Sequence, residues 1–314
     1  MMQTLVLSIL RSAAVAIVAL VPGTVLAAPA SLVSADWLMA HRDDVHVVET
    51  AKSVEAFDES GHIEGAPFVA YARLAVEHDT PAGRVRYLLP DPDEFSEVMR
   101  EAGVNGDDRV VITPSGTSVN GNMTVAARLY WALRYYGHED VAVLDGDVAA
   151  WREAGGETTT APAEGITPGD FTARTAQPEI HVSADDVEAI LKDSSATLTD
   201  NRPLEQFIGL FTKDYVQASG HLPGAVPVPY TLFAKAQDGI HYWRSPDEVQ
   251  QVLRRHGYRR GRASGRLLQF RARLGHGVVR HQRGGRSQRC GPVRWIPPRV
   301  DSVPEARGTP APIA

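Results

Sequence analysis

Cysteine is the scarcest chemistry in this chain: of 314 residues, Cys290 alone carries a thiol. A single thiol excludes any intramolecular disulfide and any Cys-x-x-Cys metal or redox pair. Lysine is missing from Arg259 onward, where thirteen arginines face two acids, a net of +11. The whole chain has a formal charge of −6, so everything before Arg259 carries −17. The body is an acidic globular protein with an unrelated basic tail. That tail sets only two aromatics, Phe270 and Trp295, among its thirteen arginines, too few to give a base-stacking pattern, so nucleic acid is not an expected partner.

Charge is also sparse at the N-terminus. Between Leu5 and Leu26 the only charged residue is Arg11, and the stretch ends Val25-Leu26-Ala27-Ala28-Pro29-Ala30. An apolar core over Ser12–Leu20 followed by small residues predicts a secretory signal peptide, residues 1–27, cleaved near Ala27 or Ala28. The alternative is an uncleaved membrane anchor, because the stretch approaches spanning length. Either way the folded part is expected outside the cytoplasm, most simply in a bacterial periplasm, with no membrane contact once the leader is cleaved. The remaining length has room for two domains, and 43% apolar with 22% charged residues is ordinary for soluble protein.

A hexapeptide occurs twice. Gly61-His62-Ile63-Glu64-Gly65-Ala66 returns 159 positions later as Gly220-His221-Leu222-Pro223-Gly224-Ala225. Each copy follows a β-branched run that ends in an acid, Val45–Val48 then Glu49, and Thr197–Thr199 then Asp200. A repeat at this spacing predicts two copies of one α/β domain.

In the first copy, spanning 31–154, the pattern predicts a helix over Ser31–Met39, strands at Val45–Val48 and Phe68–Tyr71, and a helix over Asp91–Ala102 stopped by Gly103. A buried-type strand, Arg109–Thr113, opens into a small-residue loop, Pro114 to Asn122. A helix over Met123–Tyr136, a strand at Val141–Leu144 and a helix from Ala149 to Ala154 follow. Alternating strands and helices predict a parallel sheet covered on both faces. Residues 155–176, rich in Thr, Pro, Gly and Ala, read as a linker. The second copy, 177–258, restarts with a helix over Ser183–Leu191, a strand at Ala196–Thr199, the repeated turn, and a helix over Ser245–His256. From 259 to 314 the chain never regains periodicity, so the second domain is read as incomplete and the tail as disordered.

These parts resemble the tandem-domain rhodaneses, the thiosulfate sulfurtransferases and their 3-mercaptopyruvate-using relatives. The resemblance rests on the strand–acid starts, both Gly-His-x-x-Gly-Ala turns, Asp200-Asn201-Arg202, and Leu144-Asp145-Gly146 with Trp151, and covers roughly Ala30 to Tyr258. It implies a first domain that is inactive and a second with a cysteine at the head of a loop around a helix N-terminus. There, backbone N–H groups and the helix dipole stabilise a thiolate and an anionic donor. The thiolate attacks the outer sulfur of the donor, sulfite or pyruvate leaves, and the persulfide passes to a thiol or cyanide. No metal or organic cofactor is implied. The implied partners are a small sulfur-containing anion and a thiol acceptor, and a monomer is expected. Arg202 is the candidate substrate contact, since the family places an arginine after this strand near the sulfur anion; a surface arginine is the alternative.

Neither copy supplies the nucleophile. The first has Pro114-Ser115-Gly116-Thr117-Ser118, where Ser115 and Ser118 read as plain loop hydroxyls because no base is spaced to activate them. The second has no Cys-containing loop after Tyr258, and Cys290 sits in Arg-Cys-Gly-Pro without a preceding strand, so it reads as an unstructured thiol rather than a sulfur carrier. His62 and His221, bracketed by glycines, are read as structural; Glu49 and Asp200, at strand ends, are read as caps of nearby backbone.

The genetic code explains the tail. Read one nucleotide later, the codons of Arg266 to Arg271 permit Ala-Tyr-Cys-Asn-Ser-Gly, and those of Leu274 to Val279 permit Trp-Ala-Thr-Val-Trp-Phe. Those of Pro292 to Trp295 permit Leu-Tyr-Asp-Gly, with a tryptophan five residues on, as Trp151 follows Gly146. Two landmarks return in register, so the tail is read as a frameshifted version of the catalytic half-domain. The sequence thus predicts a sulfurtransferase lineage whose present chain is inactive; a non-catalytic module that binds an anion or a protein is the alternative.

Overall fold

Short β-branched runs with no room for a polar face form the centre of the first sheet. In the computed structural model, which describes residues 31–255 and 267–270 apart from 81–82, 117–118, 162, 175–176, 178–179 and 217, these runs lie side by side. The expected leader, Ser118, Tyr258 and Cys290 lie outside the described residues. Among the described residues no helix is long and apolar enough to cross a membrane.

The first copy runs β1 (Leu32–Val33), α1 (Ala35–Ala40), β2 (His46–Ala51), α2 (Val54–Ser60), β3 (His62–Ile63), β4 (Phe68–Ala70), α3 (Tyr71–Leu74), a hairpin of β5 (Val76–Thr80) and β6 (Gly83–Leu88), α4 (Pro92–Glu101), β7 (Val110–Pro114), α5 (Thr124–Tyr135), β8 (Val141–Leu144) and α6 (Val148–Glu153). Its sheet has the order β1-β8-β7-β2-β4, every neighbour parallel. Because successive strand residues point to opposite faces, Val48, Val110 and Ile112 pack with Phe95 and Met99 of α4 and Leu129 and Leu133 of α5. Val47, Val111 and Leu144 pack on the other face with Leu38 of α1 and Trp151 of α6.

The helix ends carry the expected signals. Asp91 and Glu94 form a reciprocal capping box at the start of α4, with Pro92 in its first turn. Gly103, at φ +74°, ends the helix with a left-handed residue. One charge breaks the surface rule for helices: Arg128 of α5 is fully buried. Its Nε donates to Leu74 O (2.5 Å), and Nη2 donates to Tyr87 O (3.2 Å) and Leu88 O (2.8 Å), tying α3 and the β5–β6 hairpin to the core.

The segment read as a linker lies against the first copy. It contributes β9 (Thr158–Thr159), antiparallel to β3, and places Phe171 in the core beside Phe95. Gly169 crosses Val104 so closely that a Cβ there would stand 2.0 Å from the Val104 carbonyl oxygen. Gly169→Ala is therefore expected to destabilise the first copy by about 1–3 kcal/mol, seen as a lower thermal midpoint by circular dichroism.

The second copy follows with α7 (Ala184–Asp193), β10 (Thr197–Asp200), α8 (Leu204–Phe207), β11 (Val226–Pro227), a hairpin of β12 (Ala234–Gln237) and β13 (Ile240–Trp243), α9 (Pro246–Arg255) and β14 (Leu267–Phe270). Ser183 caps α7 in a box with Asp186. The sheet order is β11-β10-β14, all parallel. This repeats the first copy, where β4 and β7 flank β2. The composition beyond Tyr258 predicts no regular element, and β14 corrects that expectation for four residues. Leu267–Phe270 is an uncharged stretch free of glycine and proline between Arg266 and Arg271, and its backbone pairs in parallel with β10. Around this sheet the buried apolar cluster is small: Val187, Leu198, Phe207 and Ala225. The β12–β13 hairpin reaches back to the first copy, with Trp243 N–H donating to Asp145 Oδ1 (2.8 Å) and Tyr242 O–H to Glu153 Oε2 (3.1 Å).

Candidate functional site

The repeat brings the same parts together twice: a strand-end acid, a Gly-His-x-x-Gly-Ala turn, and the strand that precedes the loop. In the first copy Glu49 ends the apolar run of β2 and is fully buried. Its Oε1 accepts from Ile63 N–H of the turn (2.5 Å), and its Oε2 accepts from the Ser115 hydroxyl at the end of β7. Burial pushes the Glu49 carboxyl up to about 7, against the opposing pull of the Ser115 and Ile63 hydrogen bonds and the charges of Arg42 and Arg152. The position two residues on is Ala51, so no local countercharge accompanies the carboxyl into the core.

In the second copy that position is Arg202, and the chemistry changes. Asp200 and Arg202 are both buried. Arg202 Nε donates to Asp200 Oδ1 (2.9 Å) and Oδ2 (3.0 Å), and Nη2 donates to Asp200 Oδ2 (2.5 Å) and to Gly220 O (2.6 Å). The acid thus fastens the strand to the turn in both copies, directly through a backbone N–H in the first and through a guanidinium in the second. The described bonds of Arg202 use Nε and Nη2, which places the candidate substrate contact behind its own ion pair.

The turn histidines are held by backbone and ring. His62 stacks on Phe57 with centroids 4.3 Å apart and bonds through Nε2 to Ala161 O (2.7 Å). His221 stacks on Phe207 at 3.7 Å and bonds through Nδ1 to Phe207 O (2.8 Å). Gly61 and Gly220, at φ +65° and +85°, start the turns in conformations other residues rarely adopt.

Ser115 heads the loop after β7, where the resemblance implies a nucleophile in an active copy. No base is spaced to activate it in sequence, yet the fold supplies one: Glu49, 66 positions away. Both side chains are wholly buried, and Ser115 N–H is bonded to Thr50 O (3.0 Å), so no substrate reaches the hydroxyl. Thr117 and Ser118 lie outside the described residues. In the second copy β14 stands where β7 does in the first, and Leu267–Phe270 contains no thiol. Ser115→Cys is expected to leave the protein without sulfurtransferase activity, because the new thiol faces a buried carboxyl; sulfite release from thiosulfate and cyanide is the assay.

Among the described residues, His78, Asp91 and Glu94 bring metal-ligand atoms within 4.8 Å of one another. His78 Nε2 is bonded to Leu89 O (3.0 Å), and Glu94 accepts from Asp91 N–H (3.1 Å) as the cap of α4. These bonds account for the cluster without an ion.

The second copy differs from the first in its loop between the stacked phenylalanine and the turn. Four positions separate Phe57 from Gly61, and thirteen separate Phe207 from Gly220. The longer loop exposes Ile208 (54%), Leu210 (80%) and Phe211 (46%).

Comparison with known proteins agrees with this geometry. The family model described as "Rhodanese-like domain" matches residues 34–154. A 3-mercaptopyruvate sulfurtransferase of Escherichia coli is 30% identical over 232 residues, covering 70% of this chain and 77% of that protein. The sulfur carrier protein TtuD of Thermus thermophilus is 30% identical over 71% of this chain and 77% of its own length. Among solved structures, SseA from Escherichia coli, described with the rhodanese fold of 3-mercaptopyruvate sulfotransferases, superposes with a TM-score of 0.60 at 29% identity, over 73% of this chain and 84% of that one. With the strand–acid–turn unit and these relatives in agreement, the chain belongs to the rhodanese family of sulfurtransferases.

Proposed function

We propose that this chain derives from a periplasmic two-domain sulfurtransferase that moves sulfane sulfur from thiosulfate or 3-mercaptopyruvate to a thiol or cyanide through a cysteine persulfide, and that as translated it is catalytically silent. One observation carries the second half of the reading. The strand that leads to the nucleophile loop is present in both copies, but the first leads to a buried Ser115, and the second carries no cysteine in its described residues. Without a thiolate at that place there is no atom to attack the donor's outer sulfur, and sulfite has no route of departure.

The division we adopt is a leader over 1–27, a non-catalytic domain over 31–154 with the connecting segment 155–176 packed on it, an incomplete catalytic domain over 177–258 whose sheet is joined by 267–270, and an otherwise aberrant tail over 259–314. Arg202 is the residue we assign to the sulfur anion, and it would act by offering Nη1, the edge of its planar guanidinium left over from the Asp200 pair, to the donor. The protein is read as a monomer with neither metal nor organic cofactor. Cell fractionation of the producing bacterium is expected to place it in the periplasmic fraction; recovery of full-length protein in the cytoplasm contradicts the export reading.

A second reading is a non-catalytic module that binds an anion or a protein. The exposed Ile208, Leu210 and Phe211 favour it, since three apolar side chains on one loop suit a protein contact. The two readings separate on one sample: a specific partner retained without persulfide chemistry supports the module, and sulfite release supports the enzyme.

A further inference from the structure

The segment over 155–176 closes a cleft against the first copy, at the end of the sheet away from Ser115. Ser115 follows the last residue of β7, whereas the cleft lies where the chain enters β7 and β8, whose first residues, Val110 and Val141, pair in parallel. Gly106 and His138 lead into these two strands, and Asp170 and Arg174 approach them from the connecting segment. The cleft holds about 410 Å³, within the range of sites for small organic ligands.

Backbone contacts fix its walls. Arg174 N–H donates to Tyr136 O (2.9 Å), Phe171 N–H donates to Val104 O (3.1 Å), and Gly106 N–H donates to Asp170 Oδ1 (2.9 Å). At Gly137, with φ +82°, a Cβ would stand 2.9 Å from Arg174 Cβ, so glycine lets the segment approach the end of α5 this closely. Phe171 and Tyr136 also line the cleft. The Tyr136 hydroxyl is already bonded to Pro90 O (2.5 Å), so this residue brings an apolar ring to the lining rather than a free hydroxyl.

Three polar groups have capacity to spare. His138 is 6% exposed, and its Nε2 is buried without a hydrogen-bond partner. Burial holds the imidazole below the ordinary histidine pKa, against the backbone of Asp108 and Asp140. A neutral ring that keeps its proton on Nδ1, toward those carbonyls, leaves Nε2 as a bare acceptor, which a ligand N–H can satisfy. Arg174 is exposed, and among the described residues its guanidinium makes no ion pair. Asp170 uses Oδ1 for Gly106 N–H and keeps Oδ2.

The charges select the ligand. Asp170 repels a simple anion, Arg174 repels a simple cation, and a ligand carrying both charges suits the pair. A metal ion lacks ligands here, since the group of three donors among the described residues lies at His78, Asp91 and Glu94. We propose that this cleft binds a free α-amino acid with an apolar side chain. Its carboxylate meets Arg174, its ammonium donates to His138 Nε2 and Asp170 Oδ2, and its side chain lies against Phe171 and Tyr136. The proposal is independent of the sulfurtransferase reading, because it uses none of the strand–acid–turn residues.

The experiment uses the full chain with isotope-labelled histidine and three probes of one carbon skeleton: L-leucine, isocaproate without the ammonium, and isoamylamine without the carboxylate. L-leucine is expected to move the nitrogen resonance of His138 Nε2, identified by its loss in His138→Gln, while the other two at the same concentration leave it in place. No movement with L-leucine overturns the proposal. Equal movement with isocaproate overturns it in favour of an anion site, and equal movement with isoamylamine in favour of a cation site. Calorimetric titration with L-leucine needs no variant of a buried residue. Arg174→Ala, at an exposed side chain, is expected to keep the thermal midpoint and weaken binding about ten-fold or more; undiminished binding overturns the proposal.

Discussion

Replacing Glu49 with glutamine is expected to make the protein relatively more stable as pH rises from about 4.5 to 7, by up to about 3 kcal/mol at pH 8. The sign follows from burial. The carboxyl is raised from 4.5 to about 7 in the folded state, so between these values the native protein binds a proton that the unfolded chain has lost. Stability from this group is therefore full below pH 4.5 and disappears as pH climbs through 7. Glutamine keeps an acceptor for Ile63 N–H and an amide for Ser115 but does not ionise, so its contribution is flat. Urea unfolding of both proteins at several pH values checks this. Parallel pH dependence in the two proteins would show that Glu49 is not the buried acid the geometry describes.

Arg202→Ala is expected to cost about 3–5 kcal/mol, because it leaves the Asp200 carboxylate buried without its guanidinium. The loss should fall on the second sheet, where only Val187, Leu198, Phe207 and Ala225 form the buried apolar cluster. Hydrogen exchange should accelerate across Thr197–Asp200 and the Gly220–Ala225 turn while β2 and β7 stay protected. A double variant with leucine at both 200 and 202 is expected to lie closer to the parent than Arg202→Ala does, since removing both charges removes the uncompensated one. A loss below about 1 kcal/mol would mark the pair as an ordinary surface contact.

These two predictions concern one position that differs between copies. Glu49 has Ala51 two residues on, and Asp200 has Arg202. Both residue pairs are visible in sequence, and so were the strand-end acids and the turns they fasten. What the sequence left out was depth. Arg202 reads as a substrate contact, with a surface arginine as the alternative, and nothing in the sequence singles out Arg128, until the fold buries them against carbonyls and a carboxylate. Likewise Glu49 and Ser115, 66 positions apart, read as a cap and a loop hydroxyl, and only the pairing of β2 with β7 brings them together.

The strands and helices of the first copy follow from periodicity and capping. The hairpins do not, because β5–β6 and β12–β13 alternate weakly between charged and apolar residues. One signal could have found the second: Asp238-Gly239, with both residues at positive φ (+52° and +83°), is the short-range mark of a two-residue hairpin turn. The segment over 155–176 has linker composition, and Phe171 alone hinted that it packs on the first core. Beyond Tyr258, composition concealed the four-residue strand β14, because backbone pairing to an open edge needs little from the side chains.

The central claim is that this rhodanese-family chain has no sulfur-carrying thiolate. Sulfite release by the purified protein, supplied with thiosulfate and cyanide, tests it most directly, with mass spectrometry of Cys290 on the same sample. Sulfite at the level of the blank and no added sulfur on Cys290 are expected; release at an ordinary enzymatic rate with a persulfide on Cys290 would contradict that a thiolate is missing.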